Sequence, residues 1–149
     1  RGLGDVYKRQ VDDGAGVGGR QLASVAEVCA ASDFVSLHCA ATPETRHILG
    51  REALAAMSPS AYVINTARGD VVDEDALVAA LESGAIGGVG LDVFQGEPKV
   101  NPAIMAAPNT VLLPHLGSAT EETRVAMGMK VVENARAFAM GEVLPDKVG

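Results

Sequence analysis

The stretch YVINTARGDVVDEDALVAAL, residues 62–81, places a short apolar strand, a polar loop and an amphipathic helix in direct succession. The segment 62–65 begins with aromatic and β-branched residues and predicts a strand. Asp73 is typical of a helix N-cap, acidic residues fill the first turn, and Gly84 is a typical stop signal, so we predict a helix over 73–83. A strand followed at once by a helix is the repeating unit of an α/β fold with a parallel sheet.

The rest of the chain repeats this alternation from residue 22 onward. We predict further strands and helices in this order: helix Leu22–Ala31, strand Phe34–His38, helix Glu52–Met57, strands Val89–Asp92 and Val111–Leu113, and a long helix from about Thr120 to Met140. The strands are apolar on both faces, which is typical of a parallel sheet covered by helices on both sides. Ser118-Ala119-Thr120-Glu121 resembles a capping box, so Ser118 is expected to cap the long helix.

The composition excludes several classes of protein. Hydrophobic residues make up 48% of the 149 residues, which is enough for a packed core and argues against disorder along the whole chain. The net charge of -7 would repel nucleic acid phosphates, and no apolar run approaches the roughly 20 residues of a membrane helix. We expect no nucleic-acid partner, no membrane contact and no metal site. Cys29 and Cys39 are expected to be free thiols of a cytoplasmic protein.

Polar side chains follow the predicted strands at the point where each strand ends. Thr66 and Arg68 follow one strand, Asp92 ends the next, and His115 comes shortly after the last. Ligands of open parallel sheets bind outside the carboxyl ends of the strands. The sequence therefore predicts a ligand site at this edge of the sheet.

Four separated stretches in order resemble the D-isomer-specific 2-hydroxyacid dehydrogenases: SDFVSLHCAATPETR (32–46), INTARGDVVDEDALVAAL (64–81), GVGLDVFQGEP (88–98) and LLPHLGSATEETR (112–124). The last stretch is most similar to the glyoxylate and hydroxypyruvate reductase branch. One departure is Ala40, where the family usually has proline. The resemblance implies the second half of a Rossmann-type, doubly wound sheet in residues 21–149, plus a long C-terminal helix.

The resemblance also implies a reaction and the residues that perform it. An NAD- or NADP-dependent enzyme would reduce a small 2-oxo acid, with glyoxylate or hydroxypyruvate as the first candidates and a homodimer as the parent. Arg68 would bind the substrate, Glu97 would pair with the catalytic histidine, and His115 would be the acid/base. Residues implied in cofactor binding are Cys39, Thr66, Ala67, Arg68, Asp92, His115, Gly117 and Ser118. His38 and His47 are interpreted as structural.

Two alternatives compete with this interpretation. Corepressors of the same family sense the dinucleotide without metabolic turnover. A stand-alone nucleotide-binding module would instead use Gly14-x-Gly16-x-x-Gly19, which matches the dinucleotide fingerprint. We interpret that match as a decoy, because no convincing strand precedes it. The distance to the strand at Phe34 also leaves no room for the helix, strand and crossover that members of the resembling family place in between.

The first twenty residues are expected to be irregular. Residues 1–10 are a candidate non-native leader, and the chain is expected to start within a longer protein. Residues 1–149 alone are expected to bind NAD(H) weakly and to turn over no substrate.

Overall fold

The computed structural model describes residues 4–6 and 21–147 of the chain. The Gly14–Gly19 motif lies outside these residues, as do most of the first twenty positions. The chain divides into two compact units, Arg1–Pro114 and His115–Gly149. The first unit contains the sheet, and the second contains the long helix.

Five parallel strands form one sheet in the order β1-β2-β3-β4-β5. Their bounds are β1 Gly4–Val6, β2 Phe34–Leu37, β3 Tyr62–Asn65, β4 Gly88–Leu91 and β5 Thr110–Leu112. The four strands predicted from the sequence are confirmed, each end to within one residue, and so is the α/β fold class. All four predicted strands pair in parallel, so their carboxyl ends lie at the same edge of the sheet.

The helices are α1 Val25–Ala31, α2 Arg51–Ala55, α3 Glu74–Glu82, α4 Pro102–Ala106 and α5 Glu121–Ala139, with a 3₁₀ turn at Gly69–Val71. Asp73 caps α3 by accepting a hydrogen bond from the Ala76 N–H, and Gly84 follows with a φ of 70°, as predicted. The prediction that Ser118 caps the long helix is wrong. Thr120 is the N-cap, because its hydroxyl accepts from the Thr123 N–H.

Two elements were not predicted. The strand β1 lies within the segment that we expected to be irregular, and it pairs with β2 over Gly4–Val6. A three-residue strand is stabilised by backbone pairing and needs no alternation of side chains. The five-residue helix α4 is capped by Asn101 and has proline at its start, but it is too short to show a helical period in the sequence.

The core lies against one face of the sheet. The buried strand residues Val35, Val63 and Val89 are register partners and belong to one apolar cluster with residues of α1, α2 and α3. On the opposite face, Phe34 and Tyr62 stack with their ring centroids 5.6 Å apart and remain 47% and 42% exposed. Within residues 21–114, the buried core therefore lies on one face of the sheet, and Phe34 and Tyr62 stay partly exposed on the other.

The helix α5 of the second unit is largely exposed. The sequence analysis placed three apolar residues near one face of this helix, and each has at least half of its surface exposed: Val125, Met129 and Val132. Ala137 is the buried residue of α5. Across residues 4–6 and 21–147, no helix has both the length and the apolar character needed to cross a bilayer.

We predict that Asp73→Ala lowers the free energy of unfolding by about 1 kcal/mol, because the first turn of α3 loses its cap. Chemical denaturation monitored by circular dichroism measures this change. Asp73→Asn is the matched control, since its amide oxygen can still accept from the Ala76 N–H. Equal stability of the alanine and asparagine variants would contradict the capping role.

Candidate active site

A notch opens at the carboxyl edge of the sheet, in the first unit. Gly90 lies between Ile64 and Val111 in the register of β3, β4 and β5, and the missing side chain leaves the space between them open. The notch has a volume of about 120 Å³. Its lining consists of apolar residues and a polar rim: Ile64, Thr66, Gly90, Leu91, Asp92, Val111 and Leu113.

Asp92 belongs to the rim of this notch. It is only 5% exposed, and its backbone N–H donates to the Asn65 carbonyl oxygen at 2.9 Å. The prediction of a buried aspartate at this strand end is confirmed. Thr66, on the same rim, is exposed and follows β3 directly.

The loop after β3 presents Arg68 to solvent. The guanidinium Nη1 donates to the Ala67 carbonyl oxygen at 2.6 Å, and the side chain is exposed. The side chain of Asn65, which is 1% exposed, supports this loop from the end of β3. Its Oδ1 accepts from the Ala67 N–H at 3.0 Å, and its Nδ2 donates to the Arg68 carbonyl oxygen at 2.9 Å.

Gly69 brings the loop of Arg68 against the loop that follows β4. A Cβ atom at Gly69 would lie 2.0 Å from the Phe94 carbonyl carbon and 2.4 Å from the Gln95 nitrogen. Since real Cβ atoms do not approach backbone this closely, only glycine fits here. The structure therefore packs the arginine loop directly on the loop that leads to Glu97.

Glu97 is exposed and is also fixed by its own loop. Its Oε1 accepts from the Phe94 N–H at 2.8 Å, and Gly96 makes the intervening turn with a φ of 70°. This short-range contact orients the carboxylate side chain from within residues 94–97. The predicted partner of the catalytic histidine is thus held by the same loop that Gly69 contacts.

A partly buried polar network supports this loop. Gln95 donates its backbone N–H to Glu74 Oε1 at 2.7 Å, and its Nε2 donates to the Val72 carbonyl oxygen at 2.9 Å. The Gln95 Nε2 also lies 2.7 Å from His47 Nε2. His47 therefore has a structural role, as interpreted. No local sequence pattern indicates this network, because its partners are 21 and 48 positions apart.

His115 belongs to the second unit. It is exposed, and its φ is 56°, in the left-handed region. The next residues form a turn in which the Ala119 N–H donates to the Leu116 carbonyl oxygen at 2.9 Å. Gly117 is exposed and Ser118 is half-buried within this turn. The convergence of His115 with Arg68 and Glu97 stays a prediction.

Cys39 follows β2 in a loop that is ordered by hydrogen bonds. The Thr45 hydroxyl donates to the Ala40 carbonyl oxygen at 2.6 Å, at the position where proline was expected. Cys29 and Cys39 are free cysteines, as predicted. Burial raises the pKa of the Cys29 thiol to about 11 and also raises that of Cys39. Within the described part of the chain, no three His, Cys, Asp or Glu side chains are grouped as metal ligands.

Comparison with known proteins decides the family. The sequence model described as "D-isomer specific 2-hydroxyacid dehydrogenase, NAD binding domain" matches residues 5–117. The chain belongs to this family. The resemblance inferred from the four stretches of sequence is therefore confirmed, and so is the assignment to its dinucleotide-binding domain.

Several reductases of the family are similar to this chain. The glyoxylate reductase of Thermococcus litoralis is 50% identical over 117 residues, which is 78% of this chain and 35% of that protein. The glyoxylate/hydroxypyruvate reductase B of Pectobacterium carotovorum is 53% identical over 115 residues, covering 76% and 36% of the two chains. The chain thus spans about a third of the length of these curated relatives.

A solved structure shows the same fold. The NADPH-dependent glyoxylate/hydroxypyruvate reductase of Sinorhizobium meliloti, in complex with NADP and malonate, matches with a TM-score of 0.82 and 40% identity. The match covers 87% of this chain and 41% of that one. None of the three proteins named here is a corepressor.

We predict that Gly69→Ala lowers the free energy of unfolding by about 1–3 kcal/mol, because the added methyl group collides with backbone that must move away. The midpoint of urea denaturation measures the change. Gly128→Ala is the matched control, since nothing lies within 4 Å of its added Cβ and a helical glycine gains up to about 1 kcal/mol on replacement by alanine. A Gly69→Ala protein as stable as the wild type would contradict the close packing of the two loops.

Proposed function

We propose that the whole protein reduces a small 2-oxo acid to the corresponding 2-hydroxy acid with NADH or NADPH as the hydride donor. Glyoxylate and hydroxypyruvate are the first substrates to test. The observation that carries this proposal is the packing of the Arg68 loop on the Glu97 loop through Gly69. The same loops border the notch that contains Asp92.

The notch fits the nicotinamide end of the cofactor. Its apolar lining of Ile64, Val111 and Leu113 suits a flat aromatic ring, and its rim carries polar groups for a carboxamide. Asp92 and Thr66 would hold that end, and Cys39, Ala67, Gly117 and Ser118 would line the rest of the path. The bound dinucleotide supplies the hydride, while the protein contributes binding and orientation.

Arg68 would bind the substrate anion. A 2-oxo acid presents a planar carboxylate next to a carbonyl, and a guanidinium can donate two parallel hydrogen bonds to such a group. The contact between Arg68 Nη1 and the Ala67 carbonyl oxygen steadies the side chain at the mouth of the site. This arrangement favours small, anionic, planar substrates.

His115 would supply the proton that completes reduction. Reduction of the carbonyl leaves an alkoxide, which needs a proton donor that is charged near neutral pH, and histidine meets that need. A carboxylate beside a histidine stabilises its protonated form. Glu97, fixed by the Phe94 N–H, is the carboxylate that we assign to this role.

The assembly and the location of the protein belong to the same proposal. We infer a homodimer in the cytoplasm, free of nucleic acid and membranes. Size-exclusion chromatography with light scattering tests the dimer, and cell fractionation tests the location.

The function is tested directly by assaying the whole protein with NADH and NADPH against glyoxylate and hydroxypyruvate. The loss of reduced-dinucleotide absorbance measures turnover. We expect turnover with at least one of these acids. Binding of the dinucleotide without turnover of any 2-oxo acid would refute the enzyme and favour a sensor.

In the whole protein, His115→Ala should lower kcat by roughly 10²–10⁴-fold, the usual contribution of a positioned acid/base. Steady-state kinetics with saturating cofactor measures this loss. His38→Ala is the control, because His38 contacts Ser36 on the strand and is not placed in the site. A kcat within twofold of wild type for His115→Ala would remove His115 from the mechanism.

Glu97→Gln should move the pH profile of reduction to lower pH. The neutral amide no longer stabilises a protonated imidazole, so the proton donor is lost at a lower pH than in the wild type. The profile of kcat/KM against pH measures the displacement. Glu82→Gln, an exposed glutamate at the end of α3, is the control. Superimposable profiles for Glu97→Gln and the wild type would contradict the pairing.

Arg68→Lys should reduce kcat/KM for the 2-oxo acid by roughly tenfold to a hundredfold, since a point charge cannot replace a bidentate fork. The affinity for the dinucleotide should change much less. Arg51→Lys on the exposed start of α2 is the control. Full activity of Arg68→Lys would show that the guanidinium geometry is not used.

A further inference from the structure

Asn65 is a buried amide on an apolar surface. It is 1% exposed, and its register partners on the neighbouring strands are Leu37 and Leu91. All three residues belong to the face of the sheet that carries the core. A polar side chain in such a place is costly unless its donor and acceptor are both satisfied.

Both ends of this amide are committed to the loop that carries Arg68. The oxygen accepts from the Ala67 N–H at 3.0 Å, which forms an Asx-type turn. The nitrogen donates to the carbonyl oxygen of Arg68 itself at 2.9 Å. These two bonds set the path of the backbone from the end of β3 to the arginine.

The backbone of Asn65 contacts the second site residue. Its carbonyl oxygen accepts from the Asp92 N–H at 2.9 Å. Asn65 therefore touches both the segment that presents the guanidinium and the segment that presents the buried carboxylate of the notch. Neither contact depends on the long, exposed side chain of Arg68.

We propose that Asn65 is a positioning residue that sets the place of the Arg68 guanidinium relative to the cofactor notch. The proposal rests on the function proposed above. Its physical basis is that the buried Asn65 amide is shielded from competing water, so its two bonds to the turn favour one geometry. Arg68 then meets the substrate without first ordering its own backbone.

The test uses Asn65→Asp in the whole protein. The carboxylate can still accept from the Ala67 N–H, but its second oxygen faces the Arg68 carbonyl oxygen and cannot donate to it. We expect KM for the 2-oxo acid to rise by roughly tenfold, the value of one lost hydrogen bond of this kind. The Kd of the reduced dinucleotide should stay within about twofold, because the carbonyl contact with Asp92 is retained.

Asn101→Asp is the matched control. Asn101 caps α4 through the Ala103 N–H, and aspartate caps a helix equally well, so the same change of charge leaves the kinetics at the wild-type level. If the buried charge prevents Asn65→Asp from folding, Asn65→Ala gives the same test without a charge. The proposal is overturned if an active Asn65 variant has the same KM for the 2-oxo acid as Asn101→Asp. Equal rises in KM and in the dinucleotide Kd would also overturn it, since they indicate general disruption.

A second readout separates this proposal from the proposed function. Nuclear magnetic relaxation of the Arg68 and Gly69 amides should show an order parameter of about 0.85 in the wild type, falling towards 0.6 in Asn65→Asp. If the wild-type protein turns over no 2-oxo acid, the proposed reductase function is refuted. The order parameters of the Arg68 and Gly69 amides then still decide whether Asn65 holds the arginine turn. Equal order parameters in the wild type and in Asn65→Asp overturn the positioning role.

Discussion

The contact between Gly69 and the backbone of Phe94 and Gln95 is the constraint on which the candidate site depends. No side chain fits at Gly69, because a Cβ there would lie only 2.0 Å from the Phe94 carbonyl carbon. This absence allows the loop after β3 to rest on the loop after β4. Arg68 precedes that contact and Glu97 follows it, so one close approach between backbones fixes the segments that carry both charges.

Polar side chains hydrogen-bond the backbone groups of the loops that follow the strands. Loops that pack on each other must satisfy their own backbone groups, since water is excluded from the contact. Asn65 does this for the arginine loop. Glu74 and the amide of Gln95 do it for the glutamate loop, with the Val72 carbonyl oxygen as a partner. The two exposed charges of the candidate site thus stand on loops whose backbone groups are hydrogen-bonded by buried and half-buried side chains. The proposed small planar substrate requires such ordered supports.

The sheet contributes the notch of the candidate site, because Gly90 has no side chain. Gly90 separates Ile64 from Val111 and leaves a notch on the strand face that the core does not use. Asp92 follows at the buried end of the same strand. A flat ring with a polar substituent matches this combination of apolar lining and polar rim. In the proposed function this face of the sheet binds the cofactor ring, while the opposite face, packed with Val35 and Val63, belongs to the core.

The sequence by itself determined the strands β2 to β5, the parallel α/β class, the cap of α3 at Asp73 and the family. These depend on local patterns of polarity and on motifs that stay together along the chain. Tertiary structure alone decided the strand at Gly4–Val6, the capping of α5 by Thr120 in place of Ser118, and the roles of Asn65, Glu74 and Gln95. Each of these features depends on which groups meet in space. This holds for the pairing of a short strand, for the choice between neighbouring hydroxyls as a cap, and for contacts across 21 or 48 positions. Asn65 illustrates the difference. In the sequence it is only the last residue of an apolar strand, and its burial and its two hydrogen bonds show that it holds the arginine turn.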